Sequence, residues 1–86
     1  MNNKQAFAQN LKDLREKMEI SQREVARRLQ MQPTAISAYE RGEKLPTVEN
    51  LVKIADFFDV STDELLGRDW RSLKADVLSR YGYFTG

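Results

Sequence analysis

The sequence predicts an all-α domain of five short helices followed by a helical C-terminal tail. Three observations carry that reading. Apolar residues recur three and four apart along most of the 86 residues. No stretch alternates apolar and polar residues for long enough to make a strand. Pro33, Gly42, Pro46 and Gly67 stand at the edges of the periodic stretches, where helices start and stop.

The first helix is predicted over residues 4–17, because Phe7, Leu11, Leu14 and Met18 repeat at 3.6-residue spacing. The second starts at Ser21. Ser21 and Glu24 have the spacing of a capping box, Ile20 and Val25 that of a hydrophobic staple, and Val25, Ala26 and Leu29 face inward. It ends near Gln30. Pro33 opens a third helix, where its missing N–H costs nothing, and Gly42 closes it as a left-handed cap. Ile36 and Tyr39 are its inward residues. Thr47 caps a fourth, with Val48, Leu51, Ile54, Ala55 and Phe58 as the expected buried stripe. A Ser61–Glu64 box and a Val60–Leu65 staple start a short fifth helix, which Gly67 ends. In the tail, Trp70, Leu73, Val77, Tyr81 and Phe84 form one more apolar stripe at helical spacing.

Composition narrows the chemistry. The chain has no Cys and no His, which excludes disulfides, thiolate chemistry, an ordinary zinc site and any Ser–His or Cys–His nucleophile pair. No metal site, cofactor or enzymatic activity is expected. The longest apolar run is three residues, 6–8, so neither a signal peptide nor a membrane span is expected. With 41% hydrophobic and 31% charged residues, the chain has the composition of a folded, highly charged domain rather than a disordered tail. The net charge is only +1, but it is unevenly spread. Residues 1–45 carry nine Lys or Arg against six Asp or Glu; residues 46–67 carry one against five. Residues 68–86 carry four against two. Such a distribution favours one polarised face.

Two short helices joined by a tight turn are the local shape of a helix-turn-helix. Residues 22–41 closely resemble that motif in the phage repressor and Cro family. Val25, Leu29, Met31, Ile36 and Tyr39 stand at its apolar positions, and Ala26 where two helix backbones approach. The likeness continues through Glu40-Arg41-Gly42, Pro46, residues 51–55 and residues 60–66, and begins upstream at residues 11–15. It covers about residues 6–67 and implies a five-helix repressor-like bundle. Residues 1–67 are thus expected to be the DNA-binding domain, and residues 68–86 a helical extension whose apolar stripe either dimerises with a second copy or docks on its own domain. Gln30 and Glu19 depart from the pattern. Each stands where the family has Gly, at a cost of about 1 kcal/mol if the backbone is left-handed there.

The resemblance also implies roles. Gln22 would meet a phosphate at the start of the second helix, with Arg23 beside it. Gln32, Pro33, Thr34, Ser37 and Ala38 match the base-reading positions of the third helix. Thr34 and Ala38 offer methyl groups to thymine, and Gln32 is free to read bases unless it is spent as a cap. This is a lean reading surface, without Arg, Lys or Asn, so DNA shape is expected to carry part of the discrimination. Arg41 and Lys44 would grip the backbone. Arg15 and Glu40 would form an ion pair that orients the recognition helix. Arg27 and Arg28 read instead as a solvated helix face, with Glu24 and Arg28 able to pair.

The function this implies is a sequence-specific transcriptional regulator, a repressor acting on double-stranded DNA. It would act as a homodimer on an inverted repeat, in a prokaryotic or phage-encoded cytoplasmic setting. An antitoxin or a restriction–modification controller that regulates its own operon fits as well. The alternative from another class is a protein-interaction module of the same fold, with a toxin or antirepressor as partner. The dimer is expected to form through Trp70, Leu73, Val77, Tyr81 and Phe84.

Overall fold

The computed structural model describes residues 2–68. They form α1 (Asn3–Lys17), α2 (Gln22–Leu29), α3 (Pro33–Glu40), α4 (Val48–Phe58) and α5 (Thr62–Leu65), with no strand among the described residues. No helix among them is long and apolar enough to cross a membrane. The tail stripe from Trp70 to Phe84 lies outside the described residues.

Local sequence starts these helices. Ser21 Oγ accepts from the Glu24 N–H at 3.0 Å, Thr47 Oγ1 from that of Asn50 at 3.2 Å, and Ser61 Oγ from that of Glu64 at 3.0 Å. The Asn2 side chain does the same for α1, a cap the helical spacing does not reveal. In α2 only the serine half of the expected capping box forms, because the Glu24 carboxylate turns to Arg27 and Arg28.

All five helices end in the same way. In each, a residue just past the last turn adopts positive φ, and its own N–H and that of the residue after it return to carbonyls within the helix. Gly42 and Gly67 take this position at +73° and +72°. Glu19, Gln30 and Asp59 take it at 56–57° without glycine's freedom. The departures at Glu19 and Gln30 therefore leave the turns intact and tax the backbone. Gln30 is exposed, so Gln30→Gly loses no packing and relieves the left-handed strain. Part of that gain is offset by a freer unfolded chain. A net rise of about 0.5–1 kcal/mol in a urea melt is the expected result.

The core gathers Phe7 and Leu11 of α1, Val25, Ala26 and Leu29 of α2, and Ile36 and Tyr39 of α3. Ile54, Ala55 and Phe58 of α4 and Leu65 of α5 complete it. Phe7 and Tyr39 meet edge to face with centroids 5.6 Å apart. Leu14 and Leu51 are half-buried and pack against this core, whereas two other residues of the expected stripes are exposed. Met18 is 44% exposed, because α1 stops at Lys17 and the chain turns away. Val48 is 78% exposed: α4 packs through its later turns, and its first turn projects into solvent. Asn10 ties α1 to the last turn of the bundle, donating to the carbonyls of Glu64 and Leu65 at 3.0 and 3.1 Å.

Candidate nucleic-acid interface

The turn between α2 and α3 is built by Gln30, Met31 and Gln32. The Met31 N–H returns to the Ala26 carbonyl at 2.8 Å, and its side chain packs against the core. Gln32 is extended, as the residue before a proline prefers, and Pro33 begins α3. No side chain caps α3, so the Gln32 amide is not spent there. Gln32, Pro33 and Thr34 form a continuous exposed edge at the start of α3.

Behind this edge α3 is clamped. Arg15 of α1 donates from Nε to Glu40 Oε2 at 2.7 Å and from an Nη to Oε1 at 3.0 Å. The two side chains are 15% and 5% exposed, and a third Arg15 N–H meets the Ile20 carbonyl at 2.9 Å. The hydrogen bond to Glu40 outweighs burial and holds the Arg15 pKa above its ordinary value. Gln22 joins the same cluster: its Nε2 donates to Glu40 Oε1 at 3.0 Å, and its Oε1 accepts from Ser37 Oγ. Four side chains thus link the C-terminal part of α1, the start of α2 and the end of α3. Gln22 is therefore half-buried and bound, not a solvated surface amide.

The remaining expected contact residues fall in several places. Arg23 is exposed beside Gln22, on the first turn of α2. Ser37 is half-buried, its hydroxyl proton committed to Gln22. Ala38 is less open than an outward-facing position would be. It is only 9% exposed, because α3 packs against both α1 and α2 and leaves little beyond its first turn open. Arg41 is exposed and pairs with Glu43 through two hydrogen bonds, at 2.8 and 3.1 Å. Lys44 is exposed, with its Nζ 5.7 Å from the centre of the Tyr39 ring. An open groove runs from Gln30 and Gln32 past Tyr39 to Lys44 and Asn50.

On the outer face of α2, Glu24 accepts from both Arg27 and Arg28. These bonds, Arg27's first, lower its pKa from 4.5 to about 2. A carboxylate depressed in the folded state lends stability that is present above its unfolded pKa and lost as pH falls through the folded one. Stability is therefore expected to decline between pH 4.5 and 2, and Glu24→Gln to decline less steeply over that window. Thermal melts across it, at low ionic strength because the cluster is exposed, measure the difference.

The helix-turn-helix family's sequence pattern matches residues 11–65, well over half of the chain. The cryptic phage CTXphi transcriptional repressor RstR of Vibrio cholerae is 43% identical over 60 residues, covering 70% of this chain and 54% of that protein. The HTH-type transcriptional regulator ImmR of Bacillus subtilis is 35% identical over 77 residues, covering 87% and 61% respectively. This chain thus spans little more than half the length of either relative. Among solved structures, the restriction-modification controller protein C.AhdI from Aeromonas hydrophila has the same fold, with a TM-score of 0.66 and 27% identity. The likeness covers 72% of this chain and 94% of that one. The matched residues include all of α2 and α3 and both ends of the Arg15–Glu40 clamp, and the chain belongs to this helix-turn-helix family.

Proposed function

We propose that the chain is a sequence-specific DNA-binding transcriptional regulator, a repressor, that places α3 in the major groove. The observation that carries this reading is the exposed polar edge Gln32–Pro33–Thr34, mounted on a helix that Arg15, Glu40 and Gln22 clamp to its neighbours. A reading helix needs both features: groups that bases can meet, and a fixed angle to present them. The transcriptional roles in the names of RstR and ImmR support it. Gln32 and Thr34 read base edges, Thr34 with a methyl suited to thymine. Gln22 and the first N–H groups of α2 meet a phosphate, with Arg23 close by. Arg41 and Lys44 hold the backbone, and the exposed Arg41–Glu43 pair is weak enough to open for a phosphate.

The operator is an inverted repeat, bound by a homodimer whose recognition helices stand about 34 Å apart. The tail residues Trp70, Leu73, Val77, Tyr81 and Phe84 supply the dimer contact, and the protein is cytoplasmic, prokaryotic or phage-encoded. The likeness to a restriction–modification controller supports autoregulation as a second form of the same reading.

Grip and readout separate experimentally. If Arg41 and Lys44 each neutralise one phosphate per subunit, log affinity falls with log salt at a slope of about −4. Lys44→Ala should weaken all sites alike and flatten that slope by about 2. Thr34→Ala should change the preferred base and leave the slope alone. Identical behaviour of the two variants contradicts the assignment.

A further inference from the structure

We infer that Ser37 is a positioning residue for the phosphate contact at Gln22 and does not itself read bases. The inference rests on the DNA-binding reading above. Ser37 has one hydroxyl proton, and it goes to Gln22 Oε1. With its oxygen held by α3, the Gln22 carboxamide sends one Nε2 N–H to Glu40 Oε1 at 3.0 Å. Glu40 is fixed in turn by two hydrogen bonds from Arg15.

A carboxamide is planar, so fixing its oxygen and one N–H fixes the direction of the other. That second N–H has no partner among the described residues. It belongs to the first residue of α2, where the helix dipole already favours an anion. Gln22 Nε2 then bridges two anions, the Glu40 carboxylate and the incoming phosphate, donating one N–H to each. Arg15 neutralises the first of them, which keeps the second from being repelled.

Ser37 makes this contact ready before DNA arrives. Glutamine is among the side chains that lose most freedom on being ordered, and here the ordering precedes binding. Without the hydroxyl the amide can turn over, presenting its oxygen to Glu40 or to the phosphate. A serine at a position expected to face bases therefore acts through another residue.

The test uses the full chain and a DNA site enriched from a random pool. Ser37→Ala and Gln22→Ala are each expected to weaken binding about five- to tenfold, the size of one such hydrogen bond. The double variant should be no weaker than either single one, because the two act as one unit. Each single variant should lose the same factor on the enriched site and on its one-base variants, leaving base preference unchanged. Ser37→Thr, which keeps the hydroxyl, should restore affinity. In the absence of DNA, the Gln22 side-chain amide resonances should shift in Ser37→Ala and return toward wild type in Ser37→Thr. Additive losses, or a changed base preference in Ser37→Ala, overturn the inference while the DNA-binding reading stands. Failure of the unaltered chain to bind any DNA overturns both, and the resonance shift then shows the side-chain contact to be purely structural.

Discussion

Replacing Arg15 with Ala is expected to remove about 3–5 kcal/mol of stability, against about 0–1 kcal/mol for Arg27→Ala. The two arginines each pair with a glutamate, and burial sets them apart. Glu40 is 5% exposed in its side chain, whereas Arg27 is 69% exposed and Glu24 31%. Without Arg15, the Glu40 carboxylate keeps only the Gln22 amide, and the Ile20 carbonyl loses its donor. Without Arg27, Glu24 still has Arg28 at 3.1 Å and water around it. The larger loss is comparable to the whole stability of a domain this size, so Arg15→Ala can unfold outright. Arg15→Lys keeps the charge, gives up the fork geometry and should fall between the two. Urea melts of the three variants order them, and equal midpoints would contradict the clamp.

Gly67→Ala is the second large effect, at about 2–3 kcal/mol, with Gly42→Ala at about 1 kcal/mol as its comparison. Both glycines close a helix at nearly the same φ, so the conformational cost of a side chain is shared. Their surroundings differ. A Cβ on Gly42 would lie 3.9 Å from the Ala8 Cβ, an ordinary contact, while one on Gly67 would lie 2.6 Å from the Ala6 Cβ. Ala6 sits in the first turn of α1, so relief requires the start of α1 and the end of α5 to separate. The Asn10 bonds to the Glu64 and Leu65 carbonyls resist that movement. Equal midpoints for the two variants in the same melts would show that this contact yields without cost.

Features set by a few neighbouring residues were the ones the sequence made legible. Ser21, Thr47 and Ser61 each cap a helix through an N–H three residues on, and that spacing can be read directly. Gln30 in a left-handed turn was visible because the family pattern has glycine there; Asp59, in the same conformation, carried no such marker. Helical spacing shows which face of a helix is apolar, but not where the neighbouring helix ends, and so misplaced Met18 and Val48. The burial of Ala38 was hidden for a related reason, since α1 and α2 both meet α3. Arg15 and Glu40, 25 residues apart, were paired only through the family resemblance. The Gln22–Ser37 bond and the Asn10 bonds to α5 had no local or family signal, since each depends on which faces meet after folding.

The clamped α2–α3 unit is proposed to read DNA. Enrichment of bound duplexes from a random pool, at stated salt and with competitor DNA present, tests it most directly. The expected result is a single enriched pattern of two inverted half-sites one helical turn apart, bound at nanomolar concentration and altered at one base by Thr34→Ala. A pool that shows no enriched sequence over several rounds, with the folded chain binding all duplexes equally or none, would contradict it.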